Sequence, residues 1–405
     1  MTNEMNVPEL RFPEFEDEWE EKNLKDISNK GMYGIGASAT EFDGENVYVR
    51  ITDINETSRK LNKDKLTSPD KLDKKYLLNE NDVLFARTGA STGKTYIHTN
   101  YDRDKNYYFA GFLIKFEFKN NYLANFIFQN TLTKRFENWV SVMSVRSGQP
   151  GINSEEYGKL KMRFPSKVEQ NKIGDFFSKL DRQIELEEQK LAKLEEQKKG
   201  YMQQIFSQEL RFKDENGNDY PEWEKVKIKE IFSEIESGNR LPKTNLISGE
   251  IPYVIAQTTN NGVHKKIDKN TLDYHHNKMK LFNEGSITIS IDNPEALFIQ
   301  ERSFFTSNVM RVLHNDNLSR EAHIFIMLSL KALTQSYNWS VKFTGPVIMD
   351  SQIKFPVIKE RQINWKIVNQ IGKFLNLIEK RIIKQSEKID KLRKRKQGFL
   401  QKMFV

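Results

Sequence analysis

Residues 173–205 read IGDFFSKLDRQIELEEQKLAKLEEQKKGYMQQI, and residues 371–403 read IGKFLNLIEKRIIKQSEKIDKLRKRKQGFLQKM. In both stretches the seam advances in alternating steps of four and three residues, the period of a coiled coil. Every apolar position of the first stretch has its counterpart 198 residues later. The apolar seam positions are Ile173, Phe177, Leu180, Ile184, Leu191, Leu194, Tyr201, Ile205, Ile371, Leu375, Ile378, Ile382, Ile389, Leu392, Phe399 and Met403. The repeat predicts two long coiled-coil helices.

Polar residues interrupt both seams at matching points. Glu187 and Lys198 stand in the first seam, and Gln385 and Lys396 stand at the same places in the second. The alternative is a pair of amphipathic helices that pack on separate cores. Two helices with the same irregularity are best explained by the same role, so the matching favours the coiled coil. The basic run 391–396 is either a helix face that meets a partner or phosphates, or a solvated face.

The repeat extends beyond the helices, because short motifs of the first half return in the second at offsets of 191 to 204 residues. The pairs are 9–12 with 209–212, Trp19 with Trp223, Ser147-Gly148 with Thr344-Gly345, and Phe164-Pro165 with Phe355-Pro356. A proline sets a boundary before each predicted helix. We therefore predict four segments: a globular domain at 1–165, a helix at 166–206, a second globular domain at 207–356 and a second helix at 357–405. Short β-type runs alternate with helical patches in both globular segments, which predicts α+β domains.

The composition restricts the function. The chain of 405 residues has 64 Lys and Arg against 56 Asp and Glu, a net charge of +8, which permits a polyanionic partner. It has no cysteine, which excludes disulfides, thiol nucleophiles and cysteine-ligated zinc. The first 20 residues are polar and acidic, unlike a signal peptide, and no stretch approaches the ~20 apolar residues of a membrane span. We expect a soluble, cytoplasmic protein.

Three segments have partial likeness to catalytic motifs. Gly89–Thr95 lacks one residue of a phosphate-binding loop, and the following residues look extended rather than helical. The tetrapeptide 292–295, Asp-Asn-Pro-Glu, lacks the second proline and the aromatic residue of an adenine-methyltransferase motif. The acids of 69–75 are better explained by a solvated loop, and the six histidines show no metal-ligand spacing. We predict no catalytic residue and no metal site, and interpret Gly89–Thr95 as a hairpin turn; the alternative there is a nucleotide-binding enzyme.

The order of these segments resembles the specificity subunits of type I restriction–modification systems. The likeness covers nearly the whole chain. It is most specific at the two Phe-Pro boundaries with the helices after them, 169–206 and 361–404, and at 78–89, LNENDVLFARTG. The second half keeps only a trace of the latter segment, at 281–287.

The resemblance implies two target-recognition domains joined by two long antiparallel helices, with a pseudo-two-fold internal repeat. Each domain would read one half of an asymmetric, two-part site in double-stranded DNA. The helices would bind two methyltransferase subunits, through which restriction and translocase subunits join. Those partners would methylate adenine or cleave DNA, using S-adenosylmethionine, ATP and Mg²⁺, and this chain would hold no cofactor. The alternative is a coiled-coil scaffold that reads no DNA sequence.

Base edges are read best by Arg, Gln, Asn and Lys side chains on loops that reach a groove. The first-half candidates are Arg87, Thr88, Ser91, Thr92, Lys94, Arg146, Ser147 and Gln149. The second-half candidates are Gln257, Thr258, Asn260, Asn261, Asn293, Lys342 and Thr344, chosen partly by their positions in the repeat.

Overall fold

The computed structural model describes residues 6–99, 104–211, 223–358 and 362–405. Phe212 and Arg361, which belong to the sequence motifs above, lie outside these ranges. The chain divides into two compact units, residues 1–188 with 387–405, and residues 189–386. Each unit therefore holds the whole of one predicted globular segment and part of both predicted helices, whereas the sequence predicts four consecutive segments.

Unit 1 is built on a four-stranded antiparallel sheet of strand order β2-β9-β6-β7. Three two-stranded pairs complete its β-structure: β1-β10 and β3-β5 are antiparallel, and β4-β8 is parallel. The strands are β1 (Glu20–Asn23), β2 (Met32–Tyr33), β3 (Ala39–Glu41), β4 (Asn46–Val49), β5 (Thr67–Pro69), β6 (Val83–Ala86), β7 (Thr95–Ile97), β8 (Asn106–Phe109), β9 (Leu113–Phe116) and β10 (Lys161–Phe164). The helices are α1 (Leu24–Ile27), α2 (Ala124–Asn130), α3 (Lys134–Met143), α4 (Ser154–Gly158) and the first part of α5 (Lys167–Phe206).

Unit 2 repeats this plan with a sheet of strand order β12-β18-β15-β16. The pair β11-β19 corresponds to β1-β10. Strands β14, β13 and β17 form a separate three-stranded sheet in the order β14-β13-β17. The strands are β11 (Trp223–Lys227), β12 (Glu236–Ser237), β13 (Ser248–Val254), β14 (Val263–Ile267), β15 (Ile287–Ser290), β16 (Leu297–Ile299), β17 (Phe305–Thr306), β18 (Met310–Leu313) and β19 (Gln352–Pro356). The helices are α6 (Arg320–Gln335), α7 (Gly345–Asp350) and most of α8 (Trp365–Met403). The predicted α+β fold class with an internal repeat is confirmed.

The repeated tryptophans anchor each domain to a helix end. In unit 1 the Trp19 ring packs edge-on against Phe126 and Phe404, with ring centroids 5.7 and 6.4 Å apart. In unit 2 the Trp223 ring packs tilted against Phe325 and edge-on against Phe206, with ring centroids 5.6 and 6.1 Å apart. Phe206 and Phe404 are 198 residues apart, so the aromatic clusters obey the same repeat as the seams.

The first long helix begins at Lys167, beside the boundary predicted at Pro165. Ser166 follows Pro165, its carbonyl accepts the Gln170 N–H at 2.9 Å, and its hydroxyl lies 3.4 Å from the Glu169 nitrogen. A serine in this position satisfies N–H groups that the first helical turn leaves without partners.

The second helix begins later than predicted, at Trp365 rather than at residue 357. Val357 forms a β-bridge with Ile363, and the Ile358 N–H donates to the Gln362 carbonyl at 2.8 Å. The side chain of Asn364 accepts the Ile367 N–H at 3.3 Å and starts the helix there. The proline that ends β19 therefore closes the strand without opening the helix.

Within each unit the two long helices run antiparallel. In unit 1 Lys396 pairs with Asp181 at 2.6 Å, and Lys388 pairs with Glu187 at 2.8 Å, so the partner number falls as the residue number rises. In unit 2 Lys198 pairs with Glu379 at 2.5 Å. Lys198 and Lys396 are related by the repeat, and so are Asp181 and Glu379, because both offsets are 198. The seam lysines thus make equivalent ion pairs in the two units.

The predicted seam positions are buried or half-buried except Tyr201, which is exposed and stacks edge-on against Phe374 at 5.2 Å. Glu187 is buried in its polar seam position because Lys388 neutralises it. A charge without such a partner would be costly there.

Candidate nucleic-acid interface

The sheet of unit 1 gathers three loops at one edge. Strands β2 and β6 both run antiparallel to β9 and therefore end at the same edge, where β9 begins. Tyr33, Arg87 and Phe112 lie at these three points. We call this the loop edge of unit 1.

A fourth segment, residues 145–152, closes over the loop edge. The Gly89 N–H donates to the Pro150 carbonyl at 2.9 Å, Thr88 bridges to Gly151, and the Ile152 N–H donates to the Arg87 carbonyl at 2.9 Å. The structure therefore brings together the two first-half groups of predicted DNA-reading residues, 87–94 and 146–149, which are more than 50 residues apart in the chain.

Arg87 is the first-half candidate best placed to bind a ligand. Its guanidinium carbon lies 4.8 Å from the centre of the Tyr33 ring, and among the described residues the guanidinium makes no hydrogen bond. The Tyr33 hydroxyl accepts the Ser154 N–H at 3.0 Å, which fixes the ring. An arginine stacked on an aromatic ring keeps its planar set of donors oriented for a bidentate contact.

Arg146 is exposed, but its guanidinium already donates hydrogen bonds to other groups of the protein. One terminal nitrogen donates to the carbonyls of Met143 and Val145 at 3.0 and 2.8 Å, and the other to both oxygens of Glu156 at 2.6 Å. Arg146 therefore fastens residues 143–146 to helix α4, in a geometry that satisfies most of its donors.

The structure gives Lys94 a different role from the predicted one. Its side chain is 5% exposed, and its ammonium donates to the carbonyls of Ile51 and Ile54 and pairs with Glu56. The loop backbone turns this side chain inward because Gly93, with φ of +87°, precedes it. Lys94 is a structural cation here, and the prediction that it contacts DNA is corrected.

The remaining first-half candidates divide by exposure. Thr92 donates its hydroxyl to the Gly89 carbonyl at 2.7 Å and so shapes the turn. Thr88 and Ser91 are half-buried, whereas Ser147 and Gln149 are exposed on the covering segment.

Unit 2 forms the equivalent loop edge where β12 and β15 end and β18 begins. The Phe343 N–H donates to the Ile291 carbonyl at 2.8 Å, as Ile152 does to Arg87 in unit 1. The side-chain amide of Asn293 donates to the Ala256 carbonyl at 3.3 Å, which brings the 256–261 loop to the same edge. The predicted residues of the second half therefore also converge.

Several second-half candidates use their donors to hold loops. Gln257 donates to the carbonyls of Thr259 and Val263 at 3.2 and 2.8 Å, and Asn260 donates to Val263 at 3.0 Å. Asn260 and Asn261 both have positive φ, a conformation that asparagine tolerates better than most residues. Thr258 and Lys342 are exposed, and Thr344 is half-buried at the start of α7.

The repeat register assumed for Thr344 is wrong. Helix α4 and strand β10 begin at residues 154 and 161, and helix α7 and strand β19 begin at 345 and 352, an offset of 191 in both cases. Thr344 therefore corresponds to Asn153, not to Ser147. Both precede a short helix, and a Thr-Gly pair that resembles Ser-Gly in sequence misled the alignment.

The sequence offered no signal for Tyr33 and Phe112. Phe112 is 62% exposed, and its carbonyl accepts the Arg87 N–H at 3.0 Å. Their nearness to Arg87 depends on strand order, which brings together residues far apart in the chain.

The catalytic look-alikes have structural explanations. Gly89–Ser91 is one 3₁₀ turn between β6 and β7, which pair antiparallel, so a hairpin occupies the place of the helix that a phosphate-binding loop requires. Residues 292–295 likewise join the antiparallel strands β15 and β16. In the described ranges no group of three or more His, Asp or Glu residues could hold a metal ion. No helix among the residues described is long and apolar enough to cross a membrane.

The fold and the two loop edges define a class of protein in which one chain carries two related domains with different side chains at equivalent positions. The profile of the type I restriction modification DNA specificity domain matches residues 16–196 and 220–388, together most of the chain. The chain therefore belongs to the type I restriction–modification DNA specificity family.

Two curated relatives come from Methanocaldococcus jannaschii. The chain is 26% identical over 171 residues to the type I restriction enzyme MjaVIII specificity subunit, covering 41% of this chain and 38% of the relative. It is 25% identical over 307 residues to the MjaIX specificity subunit, covering 70% of this chain and 69% of the relative. The chain thus spans well under half the length of the first relative and about two thirds of the second.

Among solved structures, the S subunit of a type I restriction–modification system from M. genitalium has the same fold. Its TM-score is 0.64 at 15% sequence identity, and the match covers 98% of this chain and 99% of that one.

Proposed function

We propose that this chain is the DNA-specificity subunit of a type I restriction–modification complex and reads an asymmetric, two-part site in double-stranded DNA. The observation that carries the proposal is that the two units share one backbone framework but have different side chains at its edge. Backbone contacts place Tyr33, Arg87 and Phe112 of unit 1 in register with Ser237, Ile291 and Val309 of unit 2. Two domains with the same fold but different side chains at the loop edge recognise two different DNA sequences.

The proposal includes the partners. Two copies of a methyltransferase subunit bind the helix pair, because the internal repeat presents each of them with an equivalent surface. Restriction and translocase subunits join through the methyltransferase. Methylation of adenine and ATP-dependent cleavage belong to these subunits, with S-adenosylmethionine, ATP and Mg²⁺, and this chain supplies recognition in the cytoplasm without a catalytic group. Family membership supports this division. So does the segment Gly89–Thr95, which forms a hairpin turn in place of a phosphate-binding loop and its helix.

A domain exchange tests the proposal. Residues 6–165, which the β1-β10 pair closes into one domain, are replaced by the corresponding domain of a relative with a different target, and methylated adenines are mapped across the genome after co-expression with the methyltransferase. One half of the methylated motif should change while the other half and the spacer remain. The matched control exchanges residues 223–356 and should change the opposite half. If both halves change in each variant, the domains do not read independently; if neither changes, the chain is a scaffold.

A further inference from the structure

The loop edge of unit 2 carries an arginine–tyrosine stack that lies outside the predicted set. The guanidinium carbon of Arg240 lies 4.4 Å from the centre of the Tyr274 ring. Both side chains are exposed, and among the described residues the guanidinium makes no hydrogen bond. The arrangement resembles that of Arg87 on Tyr33, yet it uses residues from different positions of the repeat.

The position of Arg240 at the loop edge follows from the backbone. Gly34 and Gly238 occupy the same place in the two units, since a Cβ at Gly34 would lie 2.3 Å from the Phe109 carbonyl oxygen and one at Gly238 would lie 2.1 Å from the equivalent Thr306 carbonyl oxygen. The next residues, Ile35 and Asn239, form equivalent parallel bridges. Arg240 therefore stands where unit 1 has Gly36, three residues beyond the position of Tyr33.

A buried carboxylate holds the stack in place. Asp273 accepts the backbone N–H groups of His275 and Asn277 at 2.8 and 2.9 Å, and the side-chain amide of Asn239 at 2.9 Å. These hydrogen bonds, that from Asn277 first, hold the pKa of Asp273 below its ordinary value, so the carboxylate stays charged. The Tyr274 N–H donates to the Arg240 carbonyl at 2.8 Å. The two stacked residues are thus fixed to each other through both backbone and side chains.

A planar guanidinium held on a ring is suited to the O6 and N7 acceptors of guanine. The amides first expected to read this half, those of Gln257, Asn260 and Asn293, donate to backbone carbonyls instead. Arg240 keeps its donors available at the same edge.

We propose that Arg240, oriented by Tyr274, reads a guanine in the second half-site. The proposal rests on the proposed function, because it names a specificity determinant of the same DNA-reading surface.

The test selects bound sequences from a random duplex library with the full-length chain and any methyltransferase subunits that co-purify with it. The wild type should enrich two short sequence blocks. Arg240→Ala should abolish one guanine preference in the second block and lower affinity for the selected site about 5- to 150-fold, the range that 1–3 kcal/mol per bidentate contact implies. The first block should not change. Arg240→Lys keeps the charge without the fork and should lose the same preference.

Two further variants separate stacking from charge. Tyr274→Phe retains the ring and should keep the preference, whereas Tyr274→Ala should weaken it. Arg302→Ala is the matched control, because it removes an exposed arginine after β16, at the opposite edge of the sheet, and should alter no base preference. Retention of every base preference by Arg240→Ala, or an equal loss of affinity for all sequences, overturns the inference. Absence of any enriched sequence in the wild type overturns the proposed function instead.

Discussion

The ion pair between Arg11 and Glu169 fixes the segment of residues 6–19 to the first long helix. Two nitrogens of Arg11 donate to the two carboxylate oxygens of Glu169, each at 2.8 Å, and Glu169 is 1% exposed. This contact raises the pKa of Arg11, so the guanidinium remains charged at any ordinary pH. In Glu169→Ala the guanidinium would keep the Asp17 carbonyl, at 2.6 Å, as its acceptor among the described residues.

The expected cost follows from this geometry. Removing one partner of a buried ion pair costs about 3–5 kcal/mol. We expect the lower end, about 3 kcal/mol, because Arg11 is 12% exposed and keeps the Asp17 acceptor. For a compact unit of 150–250 residues this lowers the melting temperature by roughly 6–12 °C. Glu169→Gln, which keeps hydrogen-bonding atoms without the charge, should fall between wild type and Glu169→Ala.

Differential scanning calorimetry of the full chain measures the shift, and hydrogen exchange of residues 6–19 assigns it to unit 1. Glu9→Ala is the matched control, because Glu9 lies in the same segment but pairs with Lys402 in an exposed site. An exposed pair contributes about 1 kcal/mol or less, so Glu9→Ala should melt within about 4 °C of the wild type. If Glu169→Ala melts no lower than Glu9→Ala, the buried pair does not anchor the segment as argued.

Three further predictions concern unit 1. Burial lowers the pKa of His98 to about 4 from the ordinary 6.5, so the stability this group contributes is complete above pH 6.5 and is lost as the pH falls toward 4. When the pH is lowered from 6.5 to 4.5, the unfolding free energy of the wild type should therefore fall by about 2–3 kcal/mol more than that of His98→Phe, as measured by urea denaturation. Parallel pH curves for the two proteins would contradict this. Lys94→Met should destabilise the protein by about 1–3 kcal/mol while leaving the methylated motif unchanged, because the ammonium serves backbone carbonyls. Arg87→Ala should cost roughly 1–3 kcal/mol of DNA binding and relax one base of the first half-site, whereas Arg146→Ala should leave base preferences intact; the reverse result in a duplex selection would assign base reading to Arg146.

The sequence predicted best what depends on local periodicity. The seam residues, from Ile173 to Met403, follow one repeated pattern, and a helix converts that pattern directly into a buried face. The α+β character and the tandem repeat followed from motifs that recur along the chain. The start of the second helix was missed because Pro356 ends a strand, and the bridge between Val357 and Ile363 intervenes before Asn364 starts the helix.

The reading surface was harder to predict because side-chain availability depends on distant residues. Lys94 stands in a loop of small polar residues that looks solvated, yet carbonyls some 40 residues earlier bind its ammonium. Arg87 meets Tyr33 only because β9 places their two strands in one sheet. No local pattern distinguishes an arginine whose donors are satisfied, such as Arg146, from one whose donors remain available.

The equivalent lysine–carboxylate pairs have a consequence for how such a chain could have arisen. Residues 6–206 contain Lys198 and Asp181, which the repeat relates to the two partners Lys396 and Glu379. A half-length chain therefore carries its own complement, and two copies would pair with their helices antiparallel, Asp181 of each beside Lys198 of the other. Such a homodimer would present two identical domains and select a palindrome. The full chain is in this sense equivalent to a fused heterodimer, and two domains that differ would turn such a symmetric target into an asymmetric one.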